Sequence, residues 1–164
     1  MAAIAVLLVS CRQDEWFEPS PVAREGYVAL RFSADIPAME KVTTRAVDPD
    51  GGGVQDMTLF CFDSYGLFIT TVTADVSPSS VSTGVFQAEV PENTRTVHFV
   101  ANQVMTEFQQ DHFRNKSESE VMALLEGSSG RMIYWARFAC DNTNEEMKKK
   151  SIADQMTSAG NSIK

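Results

Sequence analysis

Residues 57–62 read MTLFCF, apolar at every position but one. Successive side chains of a strand point to opposite faces, so a strand with one wet face alternates apolar and polar residues. An unbroken apolar run of this length suits a strand covered on both faces. Asp63-Ser64-Tyr65-Gly66 follows with turn chemistry, the glycine free to take positive φ. Residues 67–73, LFITTVT, are β-branched and aromatic. These features together predict a hairpin with a fully covered first strand.

The neighbouring segments read as further short strands. In residues 27–33, Val28, Leu30 and Phe32 share one face, while Tyr27, Ala29, Arg31 and Ser33 share the other, and Ile36-Pro37 ends the run. Arg31 and the shortness of this strand place it at a sheet edge. Residues 85–90 alternate with Phe86, Ala88 and Val90 inward; residues 96–101 and 132–138 are mostly apolar. Ser117 and Glu120 have capping-box spacing ahead of Val121, Met122, Leu124 and Leu125, with Gly127 as a stop, which predicts a helix of about two turns. Residues 145–150 read as a weak helix or a loop, and 160–164 as the start of another strand. Five or six turn-separated strands with so little helix predict an antiparallel sandwich. Its expected core is Val28, Leu30, Phe32, Leu59, Cys61, Phe86, Val90, Val97, Phe99 and Val121.

Charge and composition exclude several functions. The chain of 164 residues carries a formal charge of −8, the wrong sign for nucleic acid or for electrostatic adhesion to anionic lipid. Three cysteines and two histidines are too few and too scattered for a paired-ligand zinc site. His98 alternates with apolar neighbours and His112 lies in a polar stretch, with no nucleophile elbow or carboxylate constellation nearby. Asp48, Asp50 and Asp56 flank Gly51-Gly52-Gly53, but neither the calcium-loop spacing nor a phosphate-loop context is present. No catalytic residue, metal site or cofactor is expected. Cys61 reads as a buried thiol, with pairing to Cys140 in an oxidising compartment as the alternative.

Residues 1–9, MAAIAVLLV, are too short to span a bilayer and suit the apolar region of a signal peptide. Leu8-Val9-Ser10-Cys11 resembles the bacterial lipobox, although no Lys or Arg precedes the apolar run. That resemblance implies a signal at 1–10, cleavage before Cys11 and diacylglycerol on its sulfur. Residues 11–26 would then be a lipidated tether, kept extended by Pro19 and Pro21. Each buried acyl CH₂ contributes roughly 0.8 kcal/mol of anchoring. The acidic pair Asp14-Glu15 resembles the export signal of Bacteroidales-type surface lipoproteins.

Thr44-Arg45-Ala46, then the run from Asp56 to Asp63, then Gly66-Leu67-Phe68, then Phe99-Val100-Ala101-Asn102 resembles, in that order, the fimbrillin superfamily of type V pilus subunits. Residues 132–135 fall where the family carries a further apolar strand. The resemblance implies a transthyretin-like antiparallel β-sandwich with one or two short helices over residues 27–164. It also implies a second domain beyond this chain, cut short near Lys164. In polymerising members a trypsin-like protease cuts beyond the first strand, and a strand from another subunit fills the vacated groove. Here Lys41 and Arg45 are the candidate cleavage positions. Tyr27, Val28, Leu30 and Phe32 mark the exchangeable strand. The implied partners are other fimbrial subunits, the outer membrane through lipid on Cys11, and a receptor on a host or bacterial surface. The implied location is a surface-exposed fimbrium, with stalk, tip and anchor positions all open.

A second function class stays open, a surface glycan-binding lipoprotein with Trp16, Trp135 or Tyr134 as a stacking platform. An exposed aromatic shelf would favour glycan binding; a detachable first strand over an apolar groove would favour the fimbrial role.

Overall fold

A computed structural model of the chain describes residues 23–34, 56–77, 84–103, 107–125 and 134–163. Strand β1 is Tyr27–Ala34, β2 is Met57–Phe62, β3 is Phe68–Thr73, β4 is Val85–Pro91, β5 is Thr96–Ala101, β6 is Tyr134–Ala139 and β7 is Ser162–Ile163. Among the described residues four short helices join them: α1 (Glu107–Phe113), α2 (Glu118–Leu124), α3 (Glu145–Lys148) and α4 (Ile152–Ser158). The protein is mainly β, and its strands form two sheets, of four and of three strands.

Every residue of β2 is buried, and every residue of β5. Both are interior strands of the larger sheet, ordered β3-β2-β5-β6. One face of that sheet packs on the smaller sheet, ordered β4-β1-β7. Leu59, Cys61, Val97 and Phe99 from the larger sheet meet Leu30, Phe32, Phe86 and Val90 from the smaller one. Phe32 lies at the centre, stacked on Phe86 at 5.8 Å and edge-on to Phe99 at 4.7 Å. Ile152 and Met156 of α4 join this core, and α4 packs against β1. On the opposite face of the larger sheet, Phe60, Phe62 and Val100 form a second cluster with Phe113 of α1 and Val121 of α2. The unbroken apolar pattern of residues 57–62 therefore reflects two different cores, one on each side of β2.

The register follows the turns. β2 pairs antiparallel with β5 from Met57↔Ala101 to Phe62↔Thr96, and β5 with β6 from Thr96↔Ala139 to Ala101↔Tyr134. β2 and β3 close through the turn at 63–66, where Asp63 Oδ1 accepts from the backbone N–H groups of Tyr65 (2.8 Å) and Leu67 (2.9 Å). Gly66 takes φ +72°, a left-handed value that glycine adopts without a Cβ clash.

Nine of the ten expected core residues are buried in one cluster or the other, and Val28 packs partly buried against the first. Three expectations need correction. The strand at 27–33 is not an edge strand: β1 is the middle strand of its sheet, antiparallel to β4 and parallel to β7 at Ser33↔Ser162 and Ala34↔Ile163. An exposed Arg31 suggested an edge, but it only marks the outward face of a sheet covered on one side. The β1–β7 pair also makes the sandwich not wholly antiparallel. Finally, helices α1 and α4 were not anticipated, because both are short, about two turns each, and offer few apolar positions from which to read a helical period. The 132–138 strand starts at Tyr134; Met132, Ile133 and Gly127 lie outside the described residues.

Candidate functional site

Two places in the fold could carry function: β1 itself, and a groove on the outer face of the larger sheet.

The exchangeable-strand residues all lie in β1. Tyr27 through Ser33 pair with β4 in a seven-residue antiparallel ladder, from Tyr27↔Pro91 to Ser33↔Val85. On its other side β1 pairs only through Ser33 and Ala34 among the described residues. Leu30 and Phe32 point into the core, each 1% exposed. Just before β1, the Arg24 guanidinium sits 4.3 Å above the Tyr27 ring and bonds Glu89 of β4 at 2.8 Å. Cys11, Lys41 and Arg45 lie outside the described residues, as does Trp16.

The groove is built where α2 meets the edge strand β6. Period-two geometry puts Trp135 and Arg137 on the outward face of β6, and the β5–β6 register sets Arg137 opposite His98. Tyr134, Ala136 and Phe138 turn to the core instead. Helix α2 is tied down at its start. Ser117 Oγ accepts from the Glu120 N–H, and Glu120 Oε2 accepts from the Ser117 N–H at 2.8 Å, the anticipated capping box. The preceding turn clamps this end to β2 and β3: Glu118 N–H donates to Gly66 O at 2.8 Å and Phe68 N–H to Lys116 O at 2.9 Å. The clamp brings Glu118 over His98.

A chain of hydrogen bonds results. The Trp135 indole N–H donates to His98 Nδ1 at 2.9 Å, with the two rings within 8° of parallel. His98 Nε2 lies 2.7 Å from Glu118 Oε1. Arg137 donates to Glu118 through Nε at 2.6 Å and through Nη2 at 3.3 Å. An indole N–H can only donate, so Nδ1 must accept, and the proton of the neutral imidazole sits on Nε2, facing the carboxylate. Burial holds the His98 pKa below its ordinary value, against the opposing pull of Glu118. The Arg137 guanidinium, more than any other neighbour, lowers that of Glu118. Both ring nitrogens of His98 are engaged, so neither is left to take a proton from a substrate. The arrangement holds side chains in place; it is not set up for acid–base work.

Around this chain lies an open groove of about 480 Å³, floored by His98 and bounded by Tyr65, Glu118, Met122, Trp135 and Arg137. Trp135 is 60% exposed and Tyr65 86%, although both are large aromatic residues. Of the three platform candidates, Trp135 lies on this surface, Tyr134 packs toward the core and Trp16 lies outside the described residues. Sequence reasoning missed Tyr65, Glu118 and Arg137. Only the register of β6 against β5 and the docking of α2 bring them beside Trp135.

The cysteines form no such site. Cys61 and Cys140 are both buried, free thiols. Burial pushes the Cys61 thiol up to about 12, the nearby Thr94 hydroxyl pulling weakly the other way, so it stays protonated and unreactive.

Searches against models of protein families, against curated proteins and against solved structures found no match to this chain.

Proposed function

We propose that this chain is a surface-exported, lipid-anchored fimbrial subunit of the fimbrillin kind, which assembles by exchanging the strand at the β1 position. The observation that carries the reading is the placement of β1. It inserts Leu30 and Phe32 between the two sheets, yet among the described residues its backbone is paired along its length only to β4, with a two-residue contact to β7. Exchange at this position has to break and re-form the β4 ladder together with the short β7 contact. Departure of β1 would uncover an apolar groove lined by Leu59, Phe86, Val90 and Phe99, the core residues now packed around Leu30 and Phe32. An incoming strand with the same alternation would regain a β4 ladder of seven residue pairs and refill the same pockets. Cleavage after Lys41 or Arg45 would free β1 from β2 in sequence while leaving β2–β6 in one piece. Lipid on Cys11 would hold the precursor at the outer membrane, and neighbouring subunits would be the partners. Stalk, tip and anchor roles all use this geometry; an anchor would keep β1 in place.

Limited trypsin digestion tests the reading. The first stable fragment should begin at Val42 or Ala46, and a synthetic peptide of residues 27–33 added in excess should bind the trimmed domain and restore its thermal midpoint. A first cut elsewhere, or a trimmed domain that unfolds even with peptide present, would favour a permanently anchored subunit that does not polymerise.

A further inference from the structure

We propose that the groove between α2 and β6 is a binding site for a neutral saccharide, with a pyranose ring stacked on Trp135 and its hydroxyls shared between Glu118 and Arg137. The site goes beyond strand exchange and does not depend on it, because it lies on the face of the larger sheet turned away from β1.

Four observations carry this inference. First, Trp135 leaves most of its ring to solvent, whereas the other aromatic residues among the described ones are largely buried, Tyr65 beside it excepted. Second, the ring is pinned. Its N–H is committed to His98, which is itself held by Glu118, so the platform keeps its orientation before any ligand arrives and loses little entropy on binding. Third, a carboxylate and a guanidinium flank the platform, with side chains 26% and 46% exposed. Among the described residues Arg137 donates through two of its five N–H groups, leaving the rest for ligand. Glu118 Oε2 is held by one 3.3 Å bond among the described residues and keeps acceptor capacity. A hydroxyl is donor and acceptor at once, so adjacent sugar hydroxyls match a side-by-side carboxylate and guanidinium. The C–H face of the ring meanwhile matches the indole. Fourth, the chain's charge of −8 disfavours acidic sugars.

The same geometry weighs against a proline-rich peptide, the other ligand that favours exposed Trp and Tyr rings. Such a peptide offers mainly carbonyl acceptors and needs a donor at the aromatic edge. The Trp135 N–H is already used by His98.

Nuclear magnetic resonance on the full chain tests the site. The probes are the methyl pyranosides of glucose, galactose, mannose and N-acetylglucosamine, titrated into the tens of millimolar, the range of a weak single-ring contact. At least one should shift the Trp135 indole N–H resonance and receive saturation transfer on its ring C–H protons. Trp135→Ala should weaken that binding by roughly tenfold or more, the scale of one stacked ring. Trp135→Leu, which keeps apolar bulk but has no aromatic face, should do the same even if the alanine variant folds poorly. Glu118→Gln and Arg137→Gln should each weaken binding several-fold. The proposal is overturned if none of the four sugars moves the indole resonance, if binding survives in Trp135→Leu, or if a proline-rich peptide perturbs the groove and the sugars do not.

Discussion

Trp135 donates its indole N–H to His98 Nδ1 across 2.9 Å, and that bond decides where the imidazole keeps its proton. With Nδ1 accepting, the proton faces Glu118, and the carboxylate in turn collects Arg137. A side chain 60% exposed thus sets the state of one that is 2% exposed.

The pH dependence of stability follows from this chain of bonds. A protonated His98 would set an N–H on Nδ1 against the indole N–H, two donors with no acceptor between them. Burial lowers the folded-state pKa from the ordinary 6.5, so the unfolded chain takes up this proton first as the solution is acidified. The stability from His98 is therefore fully present above about pH 6.5 and erodes below it, down to the folded-state pKa. Glu118, also lowered from its ordinary value, adds a further loss at more acid pH. Thermal unfolding should show a midpoint that is flat from about pH 7 to 8 and falls below about pH 6.5; above about pH 9 it should fall again, because the unfolded Cys61 thiol ionises there while the buried one, pushed up to about 12, does not. His98→Gln should flatten the upper part of that fall, and a slope unchanged by the substitution would count against the assignment.

Phe99 is the residue on which the two sheets close. It is 2% exposed and meets Phe32 edge-on. Phe99→Ala removes a buried ring from a site walled by strands on both sides, and should destabilise the domain by roughly 3–5 kcal/mol in urea unfolding. Trp135→Ala, on the exposed shelf, should have a much smaller effect. A change of within about 0.5 kcal/mol for Phe99→Ala would place that ring at the surface.

Membrane attachment is expected to depend on one sulfur. Cys11→Ala should move the protein from the membrane fraction to the soluble fraction and abolish incorporation of a labelled fatty acid. Unchanged fractionation with unchanged labelling would remove the lipid anchor from the proposal.

The strands were legible because their patterns are local. The alternation at 85–90 put Phe86, Ala88 and Val90 inward, and the unbroken run at 57–62 announced cover on both faces; all of these side chains are buried. The capping box at Ser117 and Glu120 was legible for the same reason, since it spans a single turn. The place of β1 was not. An exposed Arg31 looks the same on an edge strand and on a central strand with one wet face, and the parallel contact with β7 joins residues about 130 positions apart, as Ser33↔Ser162 shows.

The sequence by itself determined which segments are strands, which faces carry the core, and that β2 lies between two apolar layers, because side-chain alternation and turn chemistry act over a few neighbouring residues. Only the tertiary structure decided the order of the strands and the makeup of the groove. Trp135, His98, Glu118 and Arg137 come from β6, β5 and α2, and no spacing along the chain encodes their meeting. The β5–β6 register and the clamp of the Gly66 turn on the start of α2 place them within hydrogen-bond reach of one another.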